Sequence, residues 1–153
     1  MNFESLTDAL NFARDKEQKA NDTYMIFGAI VKDTAAKKLL EELARQELGH
    51  KKMIEDALES GTIAHIGGKR QIAEVSFSDF IVPPPDLGPD SAPQEVMTYA
   101  MKMEQSAYNL YNELLSNYQG TDLETLFSRL AQEELKHKEI LEEQYEKHFM
   151  QWM

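Results

Sequence analysis

The chain has 153 residues, about one domain's worth, and enough apolar side chains for a real core. Its net charge of -11 argues against a nucleic-acid or anionic-membrane partner, because such surfaces are gripped by lysine and arginine. There is no cysteine, which excludes disulfides, thiolate metal sites and cysteine nucleophiles. The charged N-terminal stretch does not read as a signal peptide, and no apolar run approaches the ~18 residues of a membrane span, so the expected location is the cytoplasm.

From about residue 5 to 31, Leu10, Ala13, Glu17, Ala20, Tyr24, Phe27 and Val31 recur at alternating steps of three and four. That spacing predicts a helix whose apolar seam is interrupted by one carboxylate. Thr34 is placed to cap a second helix, which runs to about residue 60 and stops at Gly61. Its seam is Leu40, Leu43, Glu47, His50, Ile54 and Ala57.

Residues 61–91 lose the helical period and hold Gly67-Gly68, Pro83 to Pro85 and Gly88-Pro89. This reads as a covering loop with one short helix at 76–80, packed on the bundle by Phe77, Phe80, Ile81 and Val82. Ser91-Ala92-Pro93-Gln94 reads as a capping box with proline in the first turn of a third helix. Its seam is Met97, Ala100, Glu104, Ala107, Tyr111, Leu114 and Tyr118, and Gly120 ends it. A second box, Thr121-x-x-Glu124, opens a fourth helix with the seam Phe127, Leu130, Glu134, His137, Leu141 and Gln144.

The short turns make each helix pair an antiparallel hairpin. The long middle segment can run the length of the bundle, since extended chain covers about 3.3 Å per residue. The expectation is a single all-α domain over 1–153, a ferritin-like four-helix bundle with one long crossover. Hairpin one is about 5–60, the crossover 61–91 and hairpin two about 91–150.

The hairpins are copies of one another. A shift of 87 residues lays Glu17 on Glu104, Glu47 on Glu134 and His50 on His137 without a gap, among fourteen identities across residues 13–55. Heptad patterning explains matched leucines and alanines, but not matched Glu, His and Tyr. Counting along each hairpin from its turn puts Glu17 level with Glu47 and His50, and Glu104 level with Glu134 and His137. Stacked hairpins therefore gather four carboxylates and two imidazoles at mid-core.

Four buried carboxylates could not stay ionised together without cations. Two divalent ions cancel the four charges with both histidines neutral. Oxygen-rich ligands with one imidazole per ion suit iron or manganese better than zinc or copper. The i, i+3 spacing lets one helical turn offer a carboxylate and an imidazole side by side. The candidate metal ligands are thus Glu17, Glu47, His50, Glu104, Glu134 and His137.

At these residues the chain resembles the rubrerythrin branch of the ferritin-like superfamily. The segments 17-EQKANDTY-24 and 104-EQSAYNLY-111 are similar to its Glu-x-x-Ala-x-x-x-Tyr signature. The resemblance implies two iron ions, with manganese or a mixed pair as alternatives. It makes Glu47 and Glu134 bridging ligands, and Tyr24 and Tyr111 hydrogen-bond donors behind the ligands. The chain departs from the family at Ala107, where a further glutamate is usual, and in having no cysteine for a rubredoxin-like iron site.

The implied activity is reduction of hydrogen peroxide or dioxygen, with electrons from a separate donor protein and no nucleic acid or membrane involved. The expected assembly is a homodimer, in which the regular repeat would allow hairpins to be exchanged through the crossover. The competing functions are a ferroxidase or iron-storage subunit, a manganese catalase-like site, and a structural metal bundle. His65 and His148 have no partner pattern and read as surface residues, Trp152 reads as part of an exposed tail with a cover for a partner subunit as the alternative, and Gly67-Gly68-Lys69-Arg70 lacks phosphate-loop spacing.

Overall fold

The computed structural model describes residues 6–60, 77–83 and 86–148. The described residues form four long helices: α1 Leu6–Ile30, α2 Thr34–Glu59, α3 Pro93–Asn117 and α4 Glu124–His148. A 3-10 turn at Phe77–Phe80 lies between α2 and α3. α1 packs along α2 and α3 along α4, and there is no strand among the described residues. The expected all-α four-helix bundle is the observed one.

The helix ends differ in detail from those expected. Asp33, not Thr34, caps α2, its carboxylate accepting from the Ala36 amide at 2.9 Å. Asp fits this place because its short side chain reaches the orphan amides of the first turn. α3 starts at Pro93 as expected, but Ala92 is its N-cap and no side chain caps it. Ser91 is instead used one step earlier, its hydroxyl accepting from the Gly88 amide at 2.8 Å.

α4 begins at Glu124 rather than Thr121. The Thr121 hydroxyl accepts from the Leu123 amide, and Glu124 reaches back to accept from the Gly120 amide. The pair closes a turn ahead of the helix instead of its first turn. Gly120 takes φ +78, a conformation that a side chain would strain. At the C-terminus of α1, Lys37 donates to the Gly28 carbonyl, placing a cation where helix carbonyls are unpaired.

Two apolar clusters fill the bundle, one at each end. The first joins Leu6, Leu10, Ala13, Ile54, Tyr111, Leu114, Phe127 and Ala131. The second joins Ala20, Tyr24, Leu40, Leu43, Ala44, Val96, Ala100 and Leu141. Each fully buried leucine here contributes about 1.5–3 kcal/mol by leaving water. Along every helix the expected ligand positions fall between the two clusters. Gln144, expected on the α4 seam, is exposed, because the seam has run past the end of the core.

The crossover is pinned where it can be seen. Phe80 is buried in the first cluster, and its carbonyl accepts from the Lys16 ammonium at 2.7 Å and from the Ser106 hydroxyl at 3.0 Å. Val82 packs against the second cluster, but Ile81 points outward and is 58% exposed, against expectation. Ile81 and Val82 follow the 3-10 turn as consecutive residues outside a helix, where successive side chains face different ways. Gly61, His65, Gly67-Gly68 and Trp152 lie outside the described residues, as do the side chains of Phe77 and His148.

Candidate metal centre

The polar layer is built by one turn of each helix. α1 brings Glu17, α2 brings Glu47 and His50, α3 brings Glu104, and α4 brings Glu134 and His137. All four carboxylates and His50 are buried, with Glu134 fully so; His137 retains 14% side-chain exposure. The two imidazole rings stack at 5.7 Å with planes 13° apart, so the two copies of Glu-x-x-His face each other across the hairpin interface.

The six side chains form two overlapping donor sets. Glu17, Glu47, His50 and Glu134 offer one ligand atom each, all within 4.8 Å of one another. Glu47, Glu104, Glu134 and His137 do the same. Glu47 and Glu134 belong to both sets, so they stand between the two positions, while Glu17 with His50 and Glu104 with His137 flank them. His50 Nδ1 lies 2.7 Å from Glu134 Oε1, 3.4 Å from Glu47 Oε2 and 3.8 Å from Glu17 Oε2. His137 Nδ1 lies 3.8 Å from Glu104 Oε2.

Burial pushes the Glu17 carboxyl well above the usual range, and the charge of Glu47 adds to it. Burial likewise raises Glu47, helped by Glu134, and raises Glu134, helped by Glu17. For His50, burial pulls the pKa down, but Glu134 and Glu47 outweigh it and push it up to about 12. Burial lowers the pKa of His137. Burial and the nearby carboxylates also raise Tyr24 and Tyr111 far enough to keep both hydroxyls protonated.

The protein does not satisfy this layer by itself. Glu17 Oε2, both oxygens of Glu104, both of Glu134, and the Nδ1 atoms of His50 and His137 are buried without a hydrogen-bond partner. The short His50–Glu134 approach is not aligned as a hydrogen bond, so it leaves both atoms orphaned. A buried unsatisfied polar atom costs about 1–3 kcal/mol, and more if charged. Seven such atoms within two overlapping donor sets suggest a metal site, and hard oxygen donors with imidazole fit a divalent metal ion.

The tyrosines behave unequally. The Tyr111 hydroxyl donates to Glu17 Oε1 from the other hairpin. Tyr24, its counterpart in the repeat, is buried with its hydroxyl unpartnered. Beside the layer, Lys16, Glu17, Ala20, Tyr24, Glu47, Met103 and Ala107 enclose a cavity of about 10 Å³. Lys16 and Met103 also line a neighbouring apolar cleft of about 410 Å³ that includes Phe12, Phe80 and Tyr99.

Sequence reasoning missed three nearby residues. Lys16 is half-buried and bonded to Phe80 and Ser106, but reads in sequence as one more helix-surface lysine. Asn21 is buried and donates to the Ala44 carbonyl at 2.7 Å, joining α1 to α2 beside the layer. Glu133 places Oε2 3.3 Å from His50 Nε2. No spacing in the sequence points to it, because His50 lies on the other hairpin.

Searches of curated proteins and of solved structures gave no match. A sequence model of the family Rubrerythrin matches residues 8–79 and 95–152, which takes in all six residues of the polar layer. With that match over most of its length, the chain belongs to the rubrerythrin family.

Proposed function

We propose that the protein is a di-iron oxidoreductase that reduces hydrogen peroxide or dioxygen with electrons from a separate donor protein. One iron would be held by Glu17 and His50, the other by Glu104 and His137, with Glu47 and Glu134 shared. The observation that carries this reading is the pair of overlapping buried donor sets that have Glu47 and Glu134 in common. When bound, the metal pair supplies Lewis acidity and two electrons for cleaving an O–O bond.

The chain's own residues supply position, dryness and protons. Two apolar clusters close the layer from both ends and keep bulk water out. The Tyr111 hydroxyl holds its proton against Glu17 Oε1 and fixes that carboxylate's orientation. Tyr24 keeps a protonated, unpartnered hydroxyl at the wall of the small cavity, where it can donate to a bound molecule. That cavity has room for about one water-sized molecule. This size favours peroxide or dioxygen over an organic substrate.

Anaerobic loading with ferrous iron followed by hydrogen peroxide in a stopped-flow spectrometer tests the reading. The expected result is oxidation within seconds, a new near-ultraviolet absorption band, and repeated turnover when a reductant is supplied. Slow oxidation without turnover would contradict it. Sizing adds a second arm: a dimer agrees with this reading, whereas a hollow particle of many subunits points to iron storage.

A further inference from the structure

The repeat makes the two halves of the polar layer equivalent in their ligands but not in what stands behind the histidines. His50 turns Nδ1 toward the carboxylates and Nε2 toward Glu133 Oε2, 3.3 Å away on the opposite hairpin, an ion-pair approach that is not aligned as a hydrogen bond. On its solvent side Arg129 Nε lies 3.8 Å from Glu133 Oε1. A shift of 87 residues turns Glu133 into Gln46 and Arg129 into Glu42. The place corresponding to a carboxylate thus holds a carboxamide. Gln46 is half-buried, donates to Glu42 Oε1 at 3.0 Å, and keeps its own Oε1 buried without a partner.

A carboxylate behind a metal-binding imidazole draws on the distal N–H, makes the other nitrogen a stronger donor and fixes the ring. A neutral amide oxygen does this less. Glu42 returns a negative charge to the His137 side, but it is exposed and paired with Arg45, so solvent screens it. Glu133, in ion-pair contact with its imidazole and less exposed than Glu42, therefore has the larger effect.

Resting on the metal-centre reading above, we propose that Glu133 is a positioning residue that makes the two metal positions unequal. The position of Glu17 and His50 fills first and binds more tightly; that of Glu104 and His137 fills second. The asymmetry comes from the Glu133/Gln46 difference and not from the ligands, which the repeat keeps identical.

The test is an anaerobic titration of the metal-free full chain with Co2+. Visible absorbance gives the stepwise affinities, and NMR of 15N-histidine-labelled protein shows which imidazole responds at each step. In the wild type, His50 is expected to respond before His137. Glu133→Gln should weaken the first step about 10–100-fold and leave the second nearly unchanged. Gln46→Glu should tighten the second step. The double exchange Gln46→Glu/Glu133→Gln should reverse the order, a result that general loosening of the fold could not produce. Circular dichroism of each variant without metal checks that it is folded, and Gln46→Glu carries the test if Glu133→Gln is not. Simultaneous response of both histidines in the wild type, or an order that survives the exchange, would overturn this inference alone. A folded wild type that binds no Co2+ would overturn the metal-centre reading with it.

Discussion

Tyr111 on α3 donates its hydroxyl proton to Glu17 on α1, a buried hydrogen bond that crosses from one hairpin to the other. Tyr24, the same residue one repeat earlier, has no partner for its hydroxyl. The two therefore respond differently to loss of that oxygen. Tyr111→Phe leaves Glu17 Oε1 unsatisfied and should destabilise the protein by about 1–3 kcal/mol. Tyr24→Phe removes an unpaired polar atom and should cost less than about 1 kcal/mol. Urea denaturation of both variants without metal checks the contrast; equal losses would contradict it.

The metal-free protein should lose stability as pH rises. Glu17, Glu47 and Glu134 have raised folded-state pKa values, so the folded state holds protons that the unfolded state releases. The stability from these groups is complete below the ordinary glutamate value of 4.5 and is lost progressively above it. His50, raised from 6.5 to about 12, adds a loss in the same direction above pH 6.5, while His137, lowered, gives an opposing gain only as pH rises toward 6.5. Divalent cations replace those protons, so their stabilising effect should grow with pH and their binding should release protons. Thermal melts from pH 5 to 8, with and without metal, measure both trends. A metal-free protein that gains stability steadily over this range would contradict the burial argument.

Shared and flanking carboxylates should differ when removed. Glu134→Ala or Glu47→Ala deletes a donor from both sets and should reduce bound metal from two ions to none or one weakly held ion. Glu104→Ala should leave the Glu17–His50 position filled. Glu134→Gln should also stabilise the metal-free fold, because it takes one carboxylate out of a crowded buried layer. Elemental analysis after gel filtration, set beside the melting temperature without metal, checks these outcomes.

A core substitution away from the layer should act on stability alone. Leu10 is fully buried in the first cluster, and Leu10→Ala should cost about 2–5 kcal/mol through lost burial and a residual cavity. Bound metal per folded chain should not change. Loss of metal from a folded Leu10→Ala protein would show that the layer depends on distant packing.

The bundle and the convergence of the six polar residues were legible because they rest on periodicity. Seam positions that step by three and four put Glu17 between Ala13 and Ala20 and put His50 before Ile54. Two copies of the same hairpin then set the heights. Helix starts were less legible, because Asp33 and Thr34 are both good caps and only the backbone decides which residue faces the free amides. The inward turn of Phe80 and outward turn of Ile81 depend on the local path of the crossover, which no period governs. Glu133 was invisible for another reason: its partner, His50, is on the other hairpin, and sequence spacing carries no information about that contact.

The most direct test of the account is a count of metal ions per chain. Metal-free wild-type protein, loaded anaerobically with ferrous iron and freed of excess, should carry two ions by elemental analysis and native mass spectrometry. Glu47→Ala should fall below that number while remaining helical. A folded wild type that never takes up two ions under any loading condition would contradict the claim that cations hold this buried layer together.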